Sequence, residues 1–149
     1  MRTTDFSKTP PQGQATAMFV GATRYRSLRS IFALTSAWIR MVREMKRMRG
    51  YRWHKVYYQF PLTLGTIAFF EDRDALLRFA RTRTHRELMV WLTDGDKRAT
   101  AGFIRLYDAD PSGYSNGVWR AEDGSMAHIP CFTPLSNEVG DGPSVVRHR

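Results

Sequence analysis

Hydrophobic spacing changes three times along the first half of the chain. Residues 17–25 (AMFVGATRY) form a short apolar run closed by charge, the pattern of a strand entering a sheet. From Ser30 the period becomes helical: Ile31, Leu34, Trp38, Met41, Met45 and Met48 recur at alternating intervals of three and four. This predicts an amphipathic helix with Ser30 available as N-cap and Gly50 as its stop. Residues 51–60 (YRWHKVYYQF) then alternate aromatic and polar side chains and predict a second strand. Pro61 interrupts it, and residues 64–70 (LGTIAFF) predict a third, joined to the second as an antiparallel hairpin.

Asp72 or Asp74 opens another helix, carrying Ala75, Leu76, Phe79 and Ala80. Its period stalls at residues 81–84 (RTRT), where Thr84 and Glu87 form a Thr-x-x-Glu capping-box pattern ahead of Leu88, Trp91 and Leu92. The prediction is helix, break, helix, ended by residues 93–96 (TDGD). Residues 103–107 and 117–122 (GVWRAE) predict two further strands. Residues 1–16 read as a flexible polar arm, and residues 123–149, rich in Gly, Pro and Ser, as an irregular tail. Between them, residues 17–122 follow the split βαβ plan of a ferredoxin-like α+β domain.

Two of these strands are apolar on both alternating faces. Met18, Val20 and Ala22 oppose Phe19 and Tyr25; Leu64, Ala68 and Phe70 oppose Ile67 and Phe69. Two helices on one side of an antiparallel sheet cover only one of those faces. A second copy of the sheet is the simplest cover for the other, which predicts a C2 homodimer.

Composition narrows the setting. A chain of 149 residues, 42% hydrophobic and 25% charged, suits one folded domain. No apolar run approaches the roughly 20 residues of a membrane-spanning helix, and residues 1–14 hold no signal-peptide apolar core. The single Cys131 forms neither an internal disulfide nor a thiolate zinc site, so a reducing cytoplasm is the expected location. Charge is less evenly spread. Residues 24–55 hold ten Lys or Arg against Glu44 alone and so own the entire net charge of +9. On the predicted first helix Arg40, Arg43 and Arg47 make a positive ridge suited to an anionic partner. No recognised nucleic-acid motif accompanies the ridge; a basic amphipathic helix resting on anionic lipid would help an enzyme collect a hydrophobic substrate, and a simple solvated face is the plainest reading of such charges.

Candidate chemistry centres on histidine and tryptophan. His85 follows the helix break, where its side chain could face a pocket between sheet and helices as a proton shuttle, haem ligand or hydrogen-bond partner. His54 sits beside Trp53 and shares a strand face with Arg52, Val56, Tyr58 and Phe60, as a cavity-lining residue or a half-buried structural one. Trp38, Trp53, Tyr57, Tyr58, Phe69, Trp91 and Trp119 come from separate elements, either as plain core or converging on an apolar cavity for a ring-containing or polyene ligand. His128 and His148 fall in the tail. No zinc-binding spacing, nucleophile elbow, phosphate cradle or dinucleotide fingerprint is present.

Three stretches carry a resemblance: 66–72 (TIAFFED), 75–85 (ALLRFARTRTH) and 117–122. They resemble the third strand, the second helix broken before a His, and the last strand of the dimeric α/β-barrel superfamily. That group includes antibiotic-biosynthesis and spheroidene monooxygenase-like proteins. Haem-degrading members place their axial His about where this chain has Met89 or Val90. The resemblance implies a homodimeric barrel that binds and oxidises a hydrophobic small molecule without a cofactor or metal. His85 would be catalytic, and His54, Trp38, Trp91 and Trp119 would bind substrate. The alternatives are a haem-binding protein of the same fold, with His85 or His54 as ligand, or a non-catalytic module gripping nucleic acid or anionic membrane through Arg40, Arg43 and Arg47.

Overall fold

The structure, a computed structural model, describes residues 2–94 and 98–114. The strand expected at 117–122, with Trp119, and the tail with His128, Cys131 and His148 lie outside the described residues. In chain order the elements are β1 (Arg2–Thr3), β2 (Ala17–Tyr25), α1 (Leu28–Arg47), β3 (Tyr51–Gln59), β4 (Thr63–Phe70), α2 (Arg73–Ala80), α3 (Arg83–Thr93), β5 (Ala99–Asp108) and β6 (Gly113–Tyr114).

Four strands form one sheet in the order β3-β4-β2-β5, with every neighbouring pair antiparallel. The crossovers β2-α1-β3 and β4-α2-α3-β5 make this a ferredoxin-like α+β domain. β1 and β6 pair separately, so residues 2–3 fold back against 113–114, and a side chain at Gly113 would strike the Phe6 ring. β5 is longer than the expected 103–107. It pairs with β2 from Ala17↔Asp108 to Tyr25↔Ala99, and that ladder carries it through the weak strand formers Ala101 and Gly102.

Asp72 caps α2 as expected, accepting the Ala75 N–H at 2.7 Å, while the starts of α1 and α3 differ from the expected caps. Ser27, not Ser30, caps α1: its extended backbone leaves the side chain free to accept the Ser30 N–H. Ser30 is already inside the first turn. Thr82, not Thr84, caps α3 by accepting the His85 N–H at 3.3 Å. Thr84 instead donates its hydroxyl to Glu44 on α1, and Glu87 pairs with Arg83 at 2.6 Å, so neither is free for a capping box. Helix α1 ends at Arg47 with Met48 as C-cap. Gly50, two residues on, turns the chain into β3 with φ +89°; a Cβ there would lie 2.6 Å from that of Ala75.

Cross-strand pairs assign the sheet faces. Phe19↔Ala68, Ala17↔Phe70 and Thr23↔Leu64 point toward the helices, with Ile104 and Leu106 of β5 in the same layer. Phe19, Phe70 and Phe79 of α2 stack at centroid separations of 5.7–6.3 Å and, with Leu34, Met41, Val42 and Met45 of α1, form the core. Met18↔Phe69, Val20↔Ile67 and Ala22↔Gly65 point the other way, beside Phe103, Arg105 and Tyr107, and no helix among the described residues covers them. On this bare side the Tyr57 ring lies over Gly65, where a Cβ would be 2.0 Å from it.

Candidate functional site

A cavity of about 270 Å³ lies between the helix-facing side of the sheet and helices α1 and α3. Its wall is built from the inward stripes of those elements, including Phe19 of β2, Leu34, Trp38 and Met41 of α1, and Leu88 and Met89 of α3. No Lys, Arg, Asp or Glu lines it among the described residues; its polar side chains are Thr23, Tyr25, Thr35, Thr66 and His85. An enclosure of this make-up selects apolar ligands and places few polar groups for orientation.

His85 is the one imidazole in the wall. The Thr82 cap fixes the first turn of α3, and the His85 Nδ1 lies 2.9 Å from the Ala80 carbonyl oxygen at the end of α2. The Phe79 ring meets the imidazole edge to face at 5.0 Å. A carbonyl only accepts, so Nδ1 carries the proton of that bond. Burial pushes the His85 pKa below its usual value, and the Ala80 hydrogen bond opposes this only in part. The ring is therefore neutral at pH 7 with its lone pair on Nε2, for which no hydrogen bond is found among the described residues. Tyr25 behaves oppositely. Burial pushes its phenol up to about 12 against a weaker pull from Thr23, so it stays protonated as a hydrogen-bond donor. The cavity wall thus holds a neutral imidazole able to accept at Nε2 and a neutral phenol able to donate, both in apolar surroundings.

The structure brings together Trp38 and His85 of the sequence-proposed site residues; Trp119 lies outside the described residues. His54 sits on the helix-facing side of β3 but outside the cavity wall, its Nδ1 2.6 Å from the Tyr51 hydroxyl. A β-bulge between Tyr51 and Trp53 causes this. It turns Tyr51 and His54 to one face and sends Arg52 and Trp53 to the other, where Trp53 packs on Phe69 at 5.7 Å. Arg52 therefore does not share the face of His54, Val56 and Tyr58 as alternation suggested. The His54 pKa is lowered by burial and then by the Lys46 charge. Trp91 also lies outside the wall: the Arg98 guanidinium covers its ring at 4.4 Å. Arg40, Arg43 and Arg47 are exposed on α1. Tyr25, Thr35 and Thr66 escaped the sequence search, although Tyr25 shares strand parity with Phe19. No group of three potential metal ligands exists among the described residues.

No protein-family profile and no curated protein matches the chain. Solved structures do. The fold is similar to SnoaB, a cofactor-independent oxygenase from Streptomyces nogalater, with TM-score 0.51 and 18% identity over 64% of this chain and 94% of that one. An antibiotic biosynthesis monooxygenase matches with TM-score 0.54 and 15% identity over 64% and 99% of the two chains. A conserved protein from Methanosarcina mazei Go1 matches with TM-score 0.54 and 16% identity over 65% and 96%. The chain thus has the fold of the antibiotic biosynthesis monooxygenases, and at these identities the likeness is one of fold. No helix among the described residues is long and apolar enough to cross a membrane.

Proposed function

We propose that the protein is a cofactor-independent oxygenase acting on a compact, ring-containing apolar molecule held between the sheet and helices α1 and α3. The observation that carries this is a neutral imidazole, its Nδ1 proton fixed on the Ala80 carbonyl, in the wall of a cavity without charged side chains. A substrate with a CH₂ group between a carbonyl and an arene supplies its own electrons. His85 Nε2 takes one proton from that carbon, and Tyr25 donates a hydrogen bond to the enolate oxygen. The carbanion reduces O₂ and recaptures it as a hydroperoxide with the proton returned. Loss of water then leaves a ketone, so CH₂ plus O₂ gives C=O plus H₂O, with four electrons passing from carbon to oxygen. Apolar walls keep bulk water from the carbanion.

Haem fits the cavity poorly. No Lys or Arg among the described residues of its wall would meet two propionates. We also assign a second copy of the chain to the sheet face away from the helices, where Met18, Val20, Ile67, Phe69 and Phe103 are apolar and Arg105 and Lys55, opposite Val20 and Ile67, are the interspersed cations. A reducing cytoplasm remains the setting we assign.

Oxygen uptake by the purified, chelator-treated protein with a panel of such cyclic ketones tests the proposal. His85→Gln, which cannot accept the proton, should slow uptake about 100-fold or more, while quenching of tryptophan fluorescence still reports ligand binding. Equal rates in wild type and His85→Gln would overturn the assignment. A Soret band on haemin titration that His85→Gln abolishes would favour the haem alternative.

A further inference from the structure

We infer that the outward face of α1 docks the protein on an anionic lipid bilayer. At about 100° per residue, the side of α1 opposite its buried stripe is an arc of roughly 120° holding Leu28, Arg29, Phe32, Ile39, Arg40, Arg43, Lys46 and Arg47. Phe32 is 75% exposed, Leu28 61% and Ile39 37%. Single exposed apolar side chains are ordinary on a protein surface. Here three large ones share a face with five cations and no acid. Glu44, the one carboxylate of the helix, lies off this arc and accepts the Thr84 hydroxyl. None of the five cations has an ion-pair partner among the described residues.

The mixture selects the partner. A phosphate backbone would use the cations but gains nothing from Phe32, Leu28 and Ile39. A bilayer uses both, with arginines at the headgroups and apolar side chains in the acyl boundary. The bare sheet face assigned to a second copy is on the opposite side of the domain, so dimerisation leaves this face open. The docking stands on the helix alone; its use, delivering an apolar ligand to the cavity that Leu34, Trp38 and Met41 line from beneath, rests on the oxygenase proposal.

Co-sedimentation of the full-length protein with phosphatidylcholine vesicles, with and without phosphatidylserine, tests it. Anionic vesicles should pellet the protein, neutral ones should not, and added salt should weaken binding. Replacing Arg40, Arg43 and Arg47 together by Gln should lower affinity about 100-fold, at roughly five-fold per arginine. Leu28→Ser with Phe32→Ser should lower it about ten-fold or more, from lost apolar burial. All five side chains are exposed, and unchanged circular dichroism and melting would verify folding. Equal binding to both vesicle types, binding to neither, or binding insensitive to either set of substitutions would overturn the inference. So would arginine-dependent binding of RNA or DNA with no vesicle binding. His85→Gln should bind vesicles normally: docking without oxygen uptake would sink only the oxygenase proposal, and uptake without docking only this one.

Discussion

The two faces of the four-stranded sheet are built from similar residues and have different fates. Toward the helices, Phe70 is fully buried and stacks on Phe79. On the bare side its neighbour Phe69 is half-buried, and Phe103 is 55% exposed. The covered side holds a cavity with one neutral histidine and one protonated tyrosine; on the other side Met18, Phe69, Tyr107 and Arg52 line a larger cleft of about 920 Å³ against residues 4–16 and 109–113, and no histidine lines it. Hydrophobicity alone therefore does not mark a functional face. What matters is whether another layer covers it, because only a covered face excludes water from polar groups and shifts their protonation.

The largest effect that would test this contrast is on the bare face. Ile67→Lys should leave the protomer folded yet convert the proposed dimer to monomer in light scattering, since pairing of this face with a second copy would bury an added ammonium beside Lys55 at a cost of several kcal/mol. A wild-type monomer at micromolar concentration would remove the contrast's explanation. Next, Phe70→Ala on the covered face should cost about 3–5 kcal/mol in urea unfolding, far more than Phe69→Ala in the same assay on the monomeric Ile67→Lys background. Thr82→Ala removes the α3 cap that fixes the turn bearing His85. It should cost about 1 kcal/mol and slow oxygen uptake less than His85→Gln does.

The smallest effect is the pH dependence of stability. His85 and His54 both have folded pKa values below the ordinary 6.5, chiefly through burial. Between those values and 6.5 the unfolded chain binds more protons, so stability falls as pH drops through that window and is flat above it. Urea midpoints across this range should show the fall, and His85→Gln should reduce its slope.

Much of this was legible beforehand. The period of Ile31 to Met48 fixed which side of α1 faces the core, and the double-sided alternation of residues 17–25 and 64–70 marked both sheet faces as apolar. Asp72 was legible as the α2 cap; the caps of α1 and α3 were not, because Ser27 competes with Ser30 and Thr82 with Thr84. Choosing between them requires knowing where the chain leaves the sheet and that Glu44 reaches Thr84 from another helix. Strand alternation also misplaced Arg52 relative to His54, since a bulge adds a residue without any change in composition. His85 stood out by position, whereas Tyr25 did not, as its neighbours in the wall come from distant segments.

The order of elements, the apolar stripes and the excess of positive charge on α1 were determined by the sequence itself, since they depend on periodicity and local chemistry. Only the tertiary structure decided which sheet face the helices cover, which aromatic residues line the cavity, and which nitrogen of His85 holds the proton. These follow from contacts between residues far apart in the chain: burial by α1 and α3, and a carbonyl at the end of α2 placed to accept the Nδ1 proton.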